Sequence, residues 1–169
     1  FGDWIELYNG GDTAIPLIGW YLTDNLSRPD KWKITADISI KPKSWLLIWA
    51  DDRNTGLHAN YKLSADGEEI GLFDYALKPV DTIRFGSQTT NVSCGRYPDG
   101  GGEWRYFSTP TPGASNSNQP FEGVVSDPLF SPPGGFYNTA QTIAITLEGA
   151  AASIHYTTDG SVPTESSAP

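Results

Sequence analysis

The sequence predicts an all-β protein. Three observations carry that reading: short alternations of apolar and polar residues, turn signals that recur roughly every ten residues, and the lack of any convincing amphipathic helix. Eighteen Gly and thirteen Pro in 169 residues demand frequent turns. Six Trp, eight Tyr and seven Phe give a large aromatic share to a chain only 38% hydrophobic. The length suits one ordinary domain and a small second one.

The first element is DWIELYN, residues 3–9. Side chains alternate across a strand, so Ile5 and Leu7 share one face and Trp4, Glu6 and Tyr8 the other. NGGD, residues 9–12, turns the chain. GWYLTDN follows, with Trp20 and Leu22 on one face and Tyr21 and Thr23 on the other. KWKI and ISI are brief strands flanking Thr35-Ala36-Asp37. WLLIWA, residues 45–50, is apolar on both faces, which predicts a central strand covered on each side. The polar, turn-rich DDRNTGLHANYKLSADG predicts a long loop with room for one helical turn. EEIGLFD, DTIRF and SCGRY read as three more strands, and PDGGGEW as the turn that leads to a strand at Trp104–Phe107.

Composition then shifts. STPTPGASNSNQPFEG, residues 108–123, is rich in Pro, Ser, Asn and Gly, as linkers are. Beyond it TIAITL aligns Ile143, Ile145 and Leu147, and SIHYTT aligns Ile154, Tyr156 and Thr158 opposite His155 and Thr157. TDGS, residues 158–161, is a turn. Two or three strands are too few for a full sheet, so this second unit reads as cut short. The chain contains no Met, which predicts a fragment of a longer protein that a cleaved signal could have preceded.

Charge narrows the partners. The net charge is −9. All eleven bases lie in residues 1–117 with fifteen acids, and the remaining five acids stand alone in residues 118–169. No positive stripe exists to neutralise phosphates, so no nucleic acid partner is expected. No apolar run reaches the ~18 residues of a membrane span. Cys94 is alone and cannot form an internal disulfide or anchor a zinc cluster; it reads as structural.

Six stretches, DWIELYN, GWYLTDN, PKSWLLIWADD, LSADGEEIGLFD, CGRYPDGGGEW and TPTPGASN, follow one another in the order seen in bacterial lamin tail domains. Residues 1–117 resemble that family, and the resemblance implies an immunoglobulin-like β-sandwich. Members usually carry one more strand before the DWIELYN segment, which implies an incomplete sheet edge here. DPLFSPPGGFYNTAQTIAITL and IHYTTDGSVPT are similar to the small β-sandwich modules at the C-termini of chitobiases, also described as fibronectin-III-associated. The expected organisation is a lamin-tail-like domain over residues 1–117, a linker over 118–126, and a partial chitobiase-type module over 127–169. The two resemblances imply a secreted or cell-surface bacterial protein.

No catalytic constellation is predicted. Asp3 and Glu6 stand three apart and point to opposite faces of a strand, so they cannot flank one substrate. Glu68 and Glu69 diverge likewise. Asp51, Asp52 and Asn54 offer oxygens in one loop, but without the alternating spacing of a tight calcium loop. A weak calcium site near Asp51 and Asp52 stays open. His58 and His155 fall in different units, no nucleophile elbow occurs, and PDGGGEW lacks the Lys and helix of a phosphate cradle. No cofactor is expected. The functional candidates are aromatic: Trp4 and Tyr8 share one strand face, Trp45 and Trp49 another. Large rings commonly fill sandwich cores. Trp4, Glu6 and Tyr8 nevertheless form the candidate partner surface, because Glu6 marks a face that water reaches. Asn25-Leu-Ser27 and Asn91-Val-Ser93 are sequons that need carry no glycan in a bacterial protein. The expected role is adhesion, spacing or presentation of a neighbouring domain, with a protein or polysaccharide at the cell surface as partner. A carbohydrate-binding module is the alternative.

Overall fold

The computed structural model describes residues 2–123, 125, 127–147 and 152–169. The chain forms two compact units, residues 1–122 and 123–169. Among the described residues every regular element is a strand.

In the first unit, β1 (Asp3–Asn9) pairs antiparallel with β6 (Ser44–Ala50) over all seven residues. The second layer is a four-stranded antiparallel sheet. Its order is β4 (Trp32–Lys33), β3 (Tyr21–Thr23), β7 (Glu68–Phe73) and β8 (Pro79–Phe85). β2 (Ile15–Pro16) pairs with β5 (Ser39–Ile40), and β9 (Ser93–Arg96) with β10 (Trp104–Phe107). This all-β, immunoglobulin-like sandwich is the predicted fold class.

One apolar cluster ties the layers together. Ile5, Ile48 and Ala50 come from the β1–β6 ribbon, and Leu22 and Trp32 from the four-stranded sheet. Leu17, Ile34 and Ile40 close the ends. Ile48, Leu22 and Ile34 are fully buried, and Leu7 packs against the cluster. The alternation read from DWIELYN thus places its aliphatic residues inward. Close packing also explains Gly71 in β7: a Cβ there would stand 2.6 Å from both Leu26 Cδ2 and Phe73 Cε2, so only glycine lets these side chains meet.

Asn9 builds the first turn. Buried at 2% exposure, it donates through Nδ2 to the carbonyls of Thr13 and Ile40, at 2.8 and 3.0 Å, and accepts the Gly11 N–H at 2.9 Å. The side chain supplies the hydrogen bonds that a turn leaves unmade.

Three expectations need correction. WLLIWA is not a central strand of a broad sheet. Beyond β1, among the described residues β6 meets a single isolated bridge, Trp49 with His58, while Asp51 just past its end bridges Lys62, and apart from Ile48 and Ala50 its residues are only half-buried. The 51–67 segment holds no helical turn. It runs back along β6, with Trp49 donating to the Leu57 carbonyl and Ala59 to the Trp49 carbonyl, and it sends Ala59 and Tyr61 into the core. Leu57 and Leu63 pack against the same cluster, and the polar residues between these four concealed that role. The segment 118–122, read as linker, folds onto β10. Tyr106 and Phe121 exchange two backbone hydrogen bonds of 3.0 Å, and their rings stack at 6.0 Å.

In the second unit β11 (Leu129–Ser131) pairs antiparallel with β12 (Ala144–Thr146). SIHYTT, expected as a strand, contributes a single bridge from Tyr156 to Ala168. No described residue of this unit is buried, and Phe130, Phe136 and Val162 are exposed. A two-stranded ribbon has too little surface to enclose them.

Candidate functional site

The register of β1 against β6 decides what the outer face of the ribbon carries. Trp4 stands opposite Trp49, Glu6 opposite Leu47, and Tyr8 opposite Trp45. Residues directly opposite in an antiparallel pair share a face. Trp4, Glu6 and Tyr8 therefore lie on the same face as Trp45, Leu47 and Trp49, and all six are half-buried. Sequence reasoning found the first three and assigned Trp45 and Trp49 to a separate surface. The signal for joining them was present: each strand carries two aromatics four residues apart. The Tyr8 and Trp45 rings meet at 5.2 Å with a tilt of 32°, a distance suited to aromatic attraction.

Two loops roof part of this face. The β9–β10 turn brings Gly100 onto the Tyr8 ring. A Cβ at Gly100 would lie 3.2 Å from Tyr8 Cε1, and its φ of 70° also favours glycine. In the 108–117 segment, the Gly113 N–H donates to Glu6 Oε1 at 2.5 Å, at the middle of the face. Asn116 fastens the two loops together: its N–H donates to Asp99 Oδ1 and its Nδ2 to the Arg96 carbonyl, each at 3.1 Å. Arg96 in turn lies over the Trp104 ring at 4.6 Å and reaches Asp81 at 2.7 Å. Neither Gly100 nor Gly113 could be placed here from sequence, since both arrive from distant parts of the chain.

Burial raises the pKa of Glu6 above its ordinary value. The Gly113 amide opposes that shift, and the negative charge of Asp99 reinforces it. At the other end of the face His58 stacks on Trp49 at 6.4 Å and 16°, and its Nδ1 lies 2.7 Å from Asp51 Oδ2. Arg53 Nε approaches the same oxygen at 3.2 Å. Burial works against the Asp51 charge. The hydrogen bonds from His58 and the Arg53 amide, with the charges of both residues, outweigh it and hold the carboxyl below its usual range.

Asp51 thus spends its carboxylate on protein partners, whereas Asp52 and Asn54 are exposed, with left-handed φ of 65° and 52°. Among the described residues no three of His, Cys, Asp and Glu converge into a group that could hold a metal ion. Glu68 and Glu69 diverge as expected, Glu68 to the Ser64 N–H and Glu69 to the Leu26 N–H and Arg84. Burial pushes the Cys94 thiol up, which favours its protonated form. No helix among the described residues is long and apolar enough to cross a membrane. The arrangement offers partly buried aromatic rings and one carboxylate. Such a set is chemically suited to stacking and hydrogen bonding.

Comparison with known proteins adds two matches. The Lamin Tail Domain family model matches residues 1–87, and the Chitobiase/beta-hexosaminidase C-terminal domain model matches residues 132–169. Both describe modules of non-catalytic type. No curated protein and no solved structure matches the chain.

Proposed function

We propose, from the premise that the chain belongs to the lamin tail domain family, that it serves as a non-catalytic interaction module of a larger secreted or cell-surface bacterial protein. In this reading it adheres to, spaces or presents a neighbouring domain, and a protein or polysaccharide at the cell surface is its partner. The observation that carries the proposal is the six-residue outer face of the β1–β6 ribbon, where four aromatic residues around Glu6 are only partly buried. Rings buried only on one side can anchor a partner without disturbing the core beneath them. Family membership is a weak guide to the partner, so the face supports the reading more than the family does.

The pairing of Tyr8 with Trp45 favours the second reading, a carbohydrate-binding module, because neighbouring rings can stack on successive sugars. One experiment separates the two. The chain and its Trp4→Ala/Tyr8→Ala variant are sedimented with chitin, cellulose and peptidoglycan, and Trp fluorescence is followed with soluble fragments of each. Retention of the wild type and at least about a tenfold loss in the variant supports recognition through this face. Binding that the variant retains in full would remove the face from the proposal. A protein partner at the surface predicts no polysaccharide response at all, together with blank hydrolase and phosphotransferase assays.

A further inference from the structure

We infer that residues 108–117 form a self-inhibitory strap over the outer face of the β1–β6 ribbon, and that the Glu6–Gly113 hydrogen bond is its latch. The inference rests on the outer face being the interaction surface proposed above.

The geometry supplies the argument. Gly113 lies about a hundred residues from Glu6 in sequence, yet its amide reaches the one carboxylate on an aromatic face, at 2.5 Å. That carboxylate stands between Trp4 and Tyr8, so a chain held there occupies the space a partner of these rings would take. The strap itself is lightly built. Of its ten residues, Thr111, Asn116 and Pro110 are half-buried and the others are exposed. Gly113 sits at φ 79° with open space where a Cβ would be. Its internal order comes from short-range bonds, Ala114 N–H to the Thr111 carbonyl at 3.0 Å and Thr111 Oγ1 to Asn116 Oδ1 at 3.2 Å. Few buried apolar contacts and exposed backbone bonds are the marks of a segment that opens at low cost. Asn116 couples the strap to the 97–103 turn, whose Gly100 covers Tyr8, so the two loops can lift together.

The latch responds to protons, and the sign follows from linkage. Glu6 faces the Gly113 amide from the strap, Leu47 from β6, and the Asp99 charge from the turn. Burial and the Asp99 charge disfavour its ionised form and outweigh the Gly113 amide, so the closed arrangement holds the Glu6 proton more tightly than an open, solvated one. Acid favours closure. Ionisation of Glu6 as pH rises through its raised pKa sets a carboxylate against Asp99 under the strap and favours opening.

The test uses the whole 169-residue chain without any ligand. The Gly113 amide is followed by NMR and hydrogen exchange between about pH 4 and about pH 7, corrected for intrinsic exchange, with acrylamide quenching of Trp as a second readout. The expected result is a Gly113 resonance that titrates with Glu6, and protection that falls about fivefold towards neutral pH while quenching rises. Glu6→Gln, which keeps the acceptor and removes the charge, should leave Gly113 protected at every pH. Asp99→Asn should move the midpoint down. Glu6→Ala should expose Gly113 throughout, with the Ile5 and Ile48 amides unchanged as the control for folding. A Gly113 amide blind to Glu6 titration, or unchanged exchange in Glu6→Ala, would overturn the strap. Since no partner is present, that failure is distinct from a failure of the binding experiment above, which leaves Gly113 exchange untouched.

Discussion

The two faces of the β1–β6 ribbon are made from the same fourteen residues and do different work. On the inner face Ile5 stands opposite Ile48 and Leu7 opposite Leu46, and these aliphatics enter the core. On the outer face Trp4, Tyr8, Trp45 and Trp49 remain half-buried beneath loops. In this ribbon the close-packed aliphatics face the core and the large rings face outward, although Trp32 and Tyr61 bury their rings elsewhere in the same core. The difference shows that aromatic content alone does not locate a core.

The comparison breaks most easily at its inner face. Ile48→Ala should cost about 2–5 kcal/mol, read from urea denaturation, because a fully buried aliphatic leaves a cavity that a close-packed sandwich fills poorly. Trp45→Ala on the outer face should cost less, about 1–3 kcal/mol, since the residue keeps part of its surface in water and leaves no enclosed cavity. It should also reduce whatever binding the face supports. Equal costs for the two variants would make the outer face a second core and end its role as an interaction surface.

The smallest effects sharpen the comparison within the outer face, whose two ends carry carboxylates of opposite behaviour. Glu6 has a raised pKa in the folded chain. Its contribution is therefore most favourable below the unfolded value and declines as pH rises through the folded one. Glu6→Gln removes that decline and should raise stability at neutral pH by up to about 0.5 kcal/mol, with no gain in acid. Asp51 has a lowered pKa, so its contribution is present above the unfolded value and is lost as pH falls through the folded one. His58→Phe should flatten that acid-side loss while keeping a ring against Trp49. Melting temperature against pH for both variants reads the two slopes in one measurement. Slopes of the same sign would contradict the assigned environments.

Much of this was legible in local sequence. Ile5 and Leu7 against Trp4, Glu6 and Tyr8 followed from the two-residue period of a strand, and PDGGGEW announced its hairpin through glycine. Other features were not. Ala59 and Tyr61 enter the core from a segment too polar to reveal them. SIHYTT has the alternation of a strand but only one bridging partner among the described residues, because alternation states a preference and pairing needs a neighbour. Phe121 lies in a stretch with linker composition and still stacks on Tyr106, since one large ring suffices to hold a polar segment down.

By itself, then, the sequence determined the fold class, the family and the division of each strand into faces, because these depend on spacing between near neighbours and on ordered motifs. The tertiary structure alone decided that Tyr8 would meet Trp45, that His58 would pair with Asp51 beside Trp49, and that Gly113 would reach Glu6. Pairing register and loop closure join residues far apart in the chain. Their choice is set by how the whole core packs, so no local pattern contains it.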